Sequence, residues 1–433
     1  MSYFSGGIHL NNYYKYFTEN LPIKNLGLPS KVVIPLSQHT GKPARPIVNI
    51  GDYVLTGQKI GESDGEISVP VHSSVSGKVT DICLWDHPVI NQKVLSIIIE
   101  SDGLDKSIEP EKKYSDYTKF SADELRSVIK ESGIVGLGGA GFPTHVKLNP
   151  PKKVDTVIIN GCECEPYLTC DDRLLQECYS DIIEGAKIIM YILNINNCKI
   201  VIEDNKQSAI KKIQNIISNE QNIELKIVKT KYPQGAEKQL IKTVLNRTVP
   251  SGKLPFDVGV IVQNVATCFA INNAIKKGIP LIERVVTVTG EYIDNPGNYL
   301  IRIGTLASEL LDKCGYKPGE KKHKLIFGGP MMGIAQSSTE IPIIKSTSGL
   351  LVLTVDITQY NFYSCIRCGK CISACPIKLM PNMISIYAEN EFWEKTKLYY
   401  PQDCIECGCC AYVCPAKRPL VHQIKLAKLN TRK

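Results

Sequence analysis

Eight cysteines near the end of the sequence have the spacing of iron–sulfur ligands. They form two copies of C-x2-C-x2-C-x3-C-P, namely Cys365, Cys368, Cys371 and Cys375, then Cys404, Cys407, Cys410 and Cys414. In such pairs, three thiolates of one turn bind a [4Fe-4S] cluster, and the cysteine before proline binds the other cluster. The spacing therefore predicts two centres. One has the ligands Cys365, Cys368, Cys371 and Cys414, and the other has Cys404, Cys407, Cys410 and Cys375.

Zinc sites and disulfide bonds are the competing interpretations of these cysteines. A zinc ribbon usually uses two C-x2-C pairs, which leaves the third cysteine and the proline of each motif unexplained. Disulfide scaffolds are typical of short secreted chains, whereas this chain has 433 residues and 17 cysteines. Its first residues also lack the pattern of a signal peptide. Two complete copies of the motif favour clusters in a reducing cytoplasm, so the sequence predicts a protein that transfers electrons.

A glycine-rich segment is the second feature that suggests a cofactor. Residues 136–144 have the sequence G-L-G-G-A-G-F-P-T, which contains G-x-G-x-x-G. The dinucleotide fingerprint requires a strand before the glycines and a helix directly after them. Here a capping signal, Ser121 to Glu124, predicts a helix before them, and Phe142-Pro143 interrupts any helix that follows. The pattern instead indicates backbone that approaches a planar or phosphorylated ligand, with Lys147 as a countercharge; the alternative is a flexible hinge.

Polar residues follow the next apolar segment directly. Residues 154–159 predict a strand, and Asn160, Glu163 and Glu165 come just after it. The carboxyl ends of strands in open α/β sheets commonly carry ligand sites, which favours a binding site here. Three nearby cysteines, at 162, 164 and 170, match no cluster spacing and are interpreted as spare thiols.

Together these segments resemble the C subunit of the Rnf complex, a membrane-bound ferredoxin:NAD oxidoreductase. The central part is similar to the NADH-binding flavoprotein subunit of respiratory complex I. Its FMN loop, G-x-G-G-x-G-F-P, corresponds to residues 136–143, and its N-x-D-E-x-E-P segment corresponds to residues 160–166 with Cys162 in place of the aspartate. Its G-E-E and N-N-V-E-T segments correspond to residues 235–237, where Ala236 replaces an acid, and to residues 263–267. The resemblance implies twelve cofactor-binding residues: Gly136, Gly138, Gly139, Gly141, Phe142, Lys147, Asn160, Glu163, Glu165, Glu237, Asn264 and Thr267.

The resemblance also implies a function. The chain would be an NAD-linked oxidoreductase subunit of an ion-translocating complex, exchanging hydride with NAD(H) through FMN and passing single electrons through two [4Fe-4S] clusters. No side chain is expected to be catalytic, because the cofactor carries the hydride chemistry; the acidic residues would hydrogen-bond ribose hydroxyls. Its partners would be the membrane subunits of the Rnf complex, the iron–sulfur subunit, ferredoxin and NAD(H), at the cytoplasmic face of the membrane.

Two other functions remain open at this point. Cys162 and Ala236 depart from the flavoprotein pattern, which is compatible with an iron–sulfur adaptor that has no working flavin site. A similar electron-transfer component can also serve a soluble reductase. Co-purification with membranes would distinguish the soluble protein from the membrane-associated one.

The elements that must position these residues indicate a multidomain α/β protein. Residues 1–110 comprise an N-terminal segment and short glycine-punctuated strands, which resemble the barrel-sandwich hybrid of lipoyl and biotinyl carriers without their modifiable lysine. Alternating strands and helices over residues 115–270 predict a doubly wound FMN/NADH-binding domain. Residues 271–355 resemble a small β-grasp (SLBB-like) module. Residues 358–433 predict an α-helical, ferredoxin-like domain with two clusters.

Charge and hydropathy narrow the possible partners. The net charge is +8, and eleven Lys/Arg against five Asp/Glu follow residue 360. We expect this basic excess to compensate anionic clusters and to attract an acidic electron carrier. No nucleic-acid motif accompanies the charge, so nucleic acid is not expected as a partner. The most apolar run, residues 182–195, contains Glu184 and Lys187 and is too short to span a bilayer, so we expect a peripheral protein.

Overall fold

Two small antiparallel sheets form the N-terminal part of the computed structural model, which describes residues 4–90, 92–110, 114–355 and 361–431. The first strands of the chain are β1 (Ile23–Asn25), β2 (Lys31–Pro35), β3 (Arg45–Pro46), β4 (Tyr53–Val54), β5 (Lys59–Glu62), β6 (Val71–His72), β7 (Gly77–Asp86) and β8 (Lys93–Ser101). One sheet has the order β2-β8-β7-β4 and the other has the order β3-β5-β6. Apolar residues of both sheets share one core, because each sheet is too small to bury its apolar face alone.

The hairpin tip of this module is docked on the rest of the protein. Residues 68–72 are all buried, and Val69 belongs to the apolar core of the next domain. In lipoyl and biotinyl carriers the modified lysine stands at this place, so the expectation of a module without a mobile arm agrees with the burial of the tip.

A parallel sheet with the order β11-β10-β9-β12 forms the central domain. Its elements are α1 (Ala122–Glu131), α2 (Thr144–Lys147), β9 (Thr156–Gly161), α3 (Cys170–Glu177), α4 (Tyr179–Leu193), β10 (Cys198–Glu203), α5 (Gln207–Ile217), β11 (Ile223–Val228), α6 (Glu237–Leu245), β12 (Val260–Asn264) and α7 (Val265–Asn272). The capping box expected from Ser121 and Glu124 is confirmed at the start of α1. The glycine loop is followed only by the one-turn helix α2, which begins after Pro143 and ends shortly before Pro150 and Pro151. Asn160 and Asn264 pair in register on β9 and β12, which places both at the carboxyl edge of the sheet.

A six-stranded sheet forms the third part. It contains β13 (Glu283–Gly290), β14 (Gly297–Arg302), β15 (His323–Phe327), β16 (Ile334–Gln336) and β17 (Gly349–Thr354), with α8 (Ala307–Lys313) packed on it. The order is β1-β14-β13-β17-β15-β16, so β1 from the N-terminal segment completes one edge by pairing in parallel with β14.

Short helices form the last part of the chain. They are α9 (Lys370–Ala374), α10 (Pro381–Glu389), α11 (Trp393–Lys397), α12 (Cys409–Tyr412) and α13 (Leu420–Asn430). Other short turns of helix cover Lys15–Phe17, Tyr117–Lys119, Pro255–Val258, Asn273–Lys277 and Pro401–Asp403. The core of this domain forms where α10 packs on α13, with Ile384 and Ile424 fully buried. Among the helices of the described residues, none has the length and apolarity that a bilayer span requires.

The N-terminal segment contacts three different parts of the protein. The Gly7 amide donates a 2.9 Å hydrogen bond to the Ala374 carbonyl in the last domain, and the Ile8 amide donates to the Tyr232 carbonyl in the central domain at 2.8 Å. Farther along, β1 joins the six-stranded sheet. The segment therefore connects domains that lie far apart in sequence.

Lys345 joins three parts of the chain. Its buried ammonium group donates to the carbonyls of Pro70 in the N-terminal module, at 3.2 Å, and of Gly133 in the central domain, at 2.7 Å. Burial lowers the pKa of Lys345 to about 7. The unfolded chain therefore binds the proton more readily than the folded chain between pH 7 and the ordinary lysine pKa of 10.5.

This linkage predicts a pH-dependent stability. Because the unfolded chain binds more protons in that window, the free energy of unfolding should rise with pH above 7. Between pH 7 and pH 9, the free energy of unfolding of the wild-type chain should rise by about 2 kcal/mol more than that of a Lys345→Met variant. Urea denaturation at the two pH values measures this difference. If the difference in free energy of unfolding between wild type and Lys345→Met is the same at both pH values, Lys345 keeps an ordinary pKa in the folded chain.

Candidate functional site

The glycine loop forms a tight turn with one open position. The Gly136 amide donates to the Phe142 carbonyl at 2.8 Å, and the Gly141 amide donates back to the Gly136 carbonyl at 3.2 Å. At the tip, Gly139 has a φ of +114°, and a Cβ placed there would meet nothing within 4 Å. The loop thus offers backbone without side chains toward open space, which fits the close approach of a planar cofactor.

Asn264 at the end of β12 and Thr267 in α7 hold the glycine loop from the side of the sheet. The Leu137 amide donates to the Thr267 hydroxyl at 2.9 Å, and a Cβ on Gly138 would lie only 3.2 Å from Asn264 Cβ. The Asn264 side chain accepts from the Ala266 amide and so caps α7, while its Nδ2 donates to the Asp171 carboxylate at 2.7 Å. The structure therefore brings Gly138, Asn264 and Thr267 together, as the sequence predicts for one site.

Glu163 is buried beneath this site. Its carboxylate accepts from the Asp171 amide at 3.0 Å and the Cys170 thiol at 3.3 Å, at the amino end of α3. Burial, followed by the nearby Glu163 carboxylate, raises the pKa of Asp171. The side chain of Glu163 is thus engaged by protein donors. These bonds fix the carboxylate against the start of α3, and the expected contact of Glu163 with a ribose hydroxyl stays a prediction.

Lys15 fixes the backbone of the same segment. Its buried ammonium group donates to the carbonyls of Glu163, Glu165 and Leu168 at 2.6, 2.9 and 2.5 Å. Burial, together with the positive charge of Lys206, lowers its pKa. A single side chain from the N-terminal segment therefore shapes the acidic loop after β9.

Glu165 lies toward the cluster domain. Its carboxylate accepts from the amides of Met331 and Met332 at 3.1 and 2.9 Å, and burial raises its pKa to about 7. The Tyr232 hydroxyl lies 3.4 Å from Glu165 and donates to the Cys407 carbonyl at 2.7 Å. Both oxygens of Glu165 thus accept hydrogen bonds from the separate turn of residues 328–333, and the expected contact of Glu165 with a ribose hydroxyl stays a prediction.

Asn160 and Cys162 also make local contacts. The Asn160 side chain donates to the Gly235 carbonyl at 2.9 Å and accepts from the Cys162 amide at 3.0 Å. The Cys162 thiol packs in an apolar cluster with Ile158 and Val201. The replacement of aspartate by cysteine therefore places a buried apolar side chain at this position.

Lys147 and Glu237 form an ion pair at the side of the loop. Their side chains lie 2.7 Å apart and are partly exposed, at 28% and 37%. Lys147 ends the helix that follows the glycine loop, and Glu237 begins α6. The two residues expected to meet a phosphate and a sugar are thus brought together.

The cysteines line two separate openings in the last domain. One is bordered by Cys404, Cys407, Cys410 and Cys375, with apolar side chains such as Ile405 around them. The other is bordered by Cys365, Cys368, Cys371 and Cys414. In each group, the cysteine before proline stands beside three cysteines of the other motif. Cys409 also borders the first opening but has no place in the ligand spacing, so the four motif thiols around each opening are the ones expected to bind a [4Fe-4S] cluster.

Three residues at these sites were missed by sequence reasoning. Asp171 carried a usable signal, because an acidic pair opens the helix that follows the strand-end loop. Lys15 and Tyr232 carried none, since each is an isolated residue whose partners lie far away in the sequence.

Four family models match the chain. They are the RnfC barrel sandwich hybrid domain over residues 2–104, the Nuo51 FMN-binding domain over 129–273, the SLBB domain over 285–335 and the 4Fe-4S dicluster domain over 364–417. These matches confirm the expected fold class, with its barrel-sandwich, α/β, β-grasp and cluster-binding parts.

Similar proteins cover nearly the whole chain. The C subunit of the proton-translocating ferredoxin:NAD(+) oxidoreductase complex of Clostridium ljungdahlii is 48% identical, over 99% of this chain and 94% of that protein. The C subunit of the Na(+)-translocating ferredoxin:NAD(+) oxidoreductase complex of Acetobacterium woodii is 47% identical, over 98% and 96%. A crystal structure of an NAD+-reducing [NiFe]-hydrogenase in the H2-reduced state has a similar fold, with a TM-score of 0.50 and 14% identity over 74% of this chain and 65% of that chain.

Proposed function

This chain belongs to the family of C subunits of Rnf-type ferredoxin:NAD oxidoreductase complexes, and from that premise we propose that it is the electron-transfer subunit that exchanges electrons with NAD(H). It uses FMN in the central domain and two [4Fe-4S] clusters in the last domain. It works as a peripheral subunit at the cytoplasmic face of the membrane, with the membrane subunits, the iron–sulfur subunit and ferredoxin of the complex as partners.

One observation carries this proposal. The flavin-type loop and the cysteines of the second motif lie on domains that are joined directly by side chains. Tyr232 of the central domain donates to the Cys407 carbonyl at 2.7 Å, and the Cys409 side chain lies in the same buried cluster. Electron transfer between a flavin and a cluster requires the two sites to be held at a fixed separation, and this buried contact supports such an arrangement.

The residues of the central domain divide into two roles. Bound FMN would supply the exchange of hydride with the nicotinamide. The glycine loop would admit the flavin beside Gly139, and Lys147 would bind its phosphate. Glu163 and Glu165 would keep the neighbouring loops in place. The remaining predicted residues would line or support the same site: Gly136, Gly138, Gly141, Phe142, Asn160, Glu237, Asn264 and Thr267.

The two cysteine groups differ in exposure, which suggests different neighbours. Cys407 and Cys410 of the second motif are buried, and the group lies against the central domain. Cys368 of the first motif is exposed to solvent. We propose that the first group faces the partner subunits, because electron transfer between proteins needs a centre near the surface.

An anaerobic titration tests the function. The chain would be reconstituted with iron, sulfide and FMN, and NADH would then be added while the visible absorbance is recorded. Bleaching of both the flavin and the cluster bands is expected. If dithionite bleaches the clusters, NADH has no effect and no flavin binds, the adaptor function replaces this proposal. If the native protein never fractionates with membranes, the soluble-reductase function is favoured.

Lys147→Met is expected to weaken FMN binding about 10- to 100-fold, because a charge-assisted hydrogen bond to the phosphate is lost. Riboflavin has no phosphate, so its affinity should not change. Flavin fluorescence titrations measure both constants. Lys152→Met is a matched control, since Lys152 forms an ion pair with Asp257 on the same domain. An equal loss of affinity for FMN and riboflavin would contradict the role of Lys147.

A further inference from the structure

The glycine loop has a second support that comes from outside the central domain. After β2, residues 37–40 of the N-terminal module pass along the loop. The Thr40 amide donates to the Gly141 carbonyl at 3.0 Å, and the Thr40 hydroxyl donates to the Ala140 carbonyl at 2.9 Å. The contact is close, since a Cβ on Gly141 would lie 3.6 Å from the Gln38 carbonyl oxygen and from His39 Cα.

These bonds hold the part of the loop that follows Gly139, whereas the contacts with the sheet hold the part that precedes it. On the sheet side, Thr267 holds the Leu137 amide, and Asn264 packs on Gly138. On the module side, Thr40 holds the two carbonyls that follow Gly139. The open position at Gly139 therefore lies between two anchored segments, one supported by each domain.

The orientation of the two carbonyls has an electrostatic consequence. A loop that binds an anion or the electron-rich edge of a flavin must present its amide groups and turn its carbonyl oxygens away. Ala140 and Gly141 have their carbonyl oxygens bound to Thr40, so these oxygens are directed to the N-terminal module. Without the donors, rotation of these peptide units would bring partial negative charge toward the ligand.

The N-terminal module itself is fixed in place. Its hairpin tip, residues 68–72, is buried, Val69 packs in the core of the central domain, and the Pro70 carbonyl accepts from Lys345. A support for a loop must be rigid, and a module docked at its tip meets that requirement.

We propose that the N-terminal module is part of the flavin site and that Thr40 is its positioning residue. Thr40 acts by holding the Ala140 and Gly141 carbonyls and does not need to touch the cofactor. This inference rests on the proposed FMN site. It assigns a role in flavin binding to a residue outside residues 129–273, the segment that matches the FMN-binding domain.

The test compares Thr40→Val, which removes the hydroxyl at nearly constant volume, with Thr40→Ser, which keeps it. In the full chain with clusters reconstituted, Thr40→Val should raise the dissociation constant of FMN about 5- to 10-fold and shift the flavin midpoint potential. Thr40→Ser should stay within about twofold of wild type. Iron content should remain unchanged in both variants.

Thr56→Val is the matched control. Thr56 belongs to the same module, and its hydroxyl donates to Asp105 at 2.7 Å, at a distance from the loop. A normal FMN affinity in Thr40→Val, or an equal loss in Thr56→Val, would overturn the proposal.

Hydrogen exchange separates failure of this inference from failure of the FMN site. In the absence of flavin, the amides of residues 138–141 should exchange at least about threefold faster in Thr40→Val than in wild type or Thr40→Ser. If the wild-type chain binds no FMN but exchange is still faster in Thr40→Val, Thr40 does support the loop and the proposal of an FMN site is wrong. If exchange is unchanged, the Thr40 hydroxyl does not position the loop.

Discussion

A chain that carries Cys375→Ala is expected to lose about half of its iron, from about eight atoms to about four. Cys375 borders the same opening as Cys404, Cys407 and Cys410, although it belongs to the other sequence motif. Its removal leaves three thiolates around one cluster, so that cluster should be lost while the other stays. Iron and acid-labile sulfide analysis of the purified, reconstituted chain measures the loss.

Double substitutions identify which cluster is lost. If Cys375 and Cys404 bind the same cluster, a chain with both Cys375→Ala and Cys404→Ala should still retain about four iron atoms. A chain with both Cys375→Ala and Cys365→Ala should retain no iron, because each substitution then removes a different cluster. The reverse outcome would show that each motif supplies all four ligands to its own cluster. Cys409→Ala is the control, since Cys409 lies within the second motif but has no predicted ligand role.

Gly139→Val should abolish FMN retention and leave both clusters in place. An added side chain would occupy the open space at the tip of the loop, where the backbone now faces nothing within 4 Å. The dissociation constant for FMN should rise about 100-fold or more. Flavin content after gel filtration measures retention, and iron content reports on the clusters.

The variant Gly65→Val separates this steric effect from backbone strain. Gly65 has a φ of +104°, close to the +114° of Gly139, and a Cβ there also meets nothing within 4 Å. Valine is strained at both positions, because β-branched residues disfavour positive φ. Gly65 lies in the N-terminal module, so its variant should bind FMN normally. Normal FMN content in Gly139→Val would show that the glycine loop is not part of the FMN site.

Local sequence signals predicted the elements and the cluster cysteines. Each cysteine motif is a local spacing pattern, although its last cysteine lies beside the cysteines of the other motif. The capping box at Ser121 and Glu124 specifies the start of a helix by itself. The order of strands and helices around β9 follows from alternation along the chain. Short spacings and caps were therefore sufficient to predict the local elements, whereas the ligand set of each cluster stays a prediction.

The protein contacts of Glu163 and Glu165 could not be predicted in this way. Both acids follow a strand end in the manner of ligand residues, yet their carboxylates are engaged by the amino end of α3 and by the amides of Met331 and Met332. These partners lie in other elements, and no local pattern indicates them. The same reason explains why Lys15, whose ammonium group binds the backbone of the acidic loop, was overlooked.

The N-terminal segment has a consequence for biosynthesis. It is translated before its partners, because β1 pairs with residues 298–300 and the Gly7 amide bonds to Ala374 in the last domain. Contacts between such distant segments form late, because a long loop must close before they contribute. During translation the segment therefore cannot form all of its final contacts until Ala374 in the cluster domain has been synthesised. We expect the first residues of the chain to be among the last to reach their final positions, so completion of the fold would follow the synthesis of the cluster ligands.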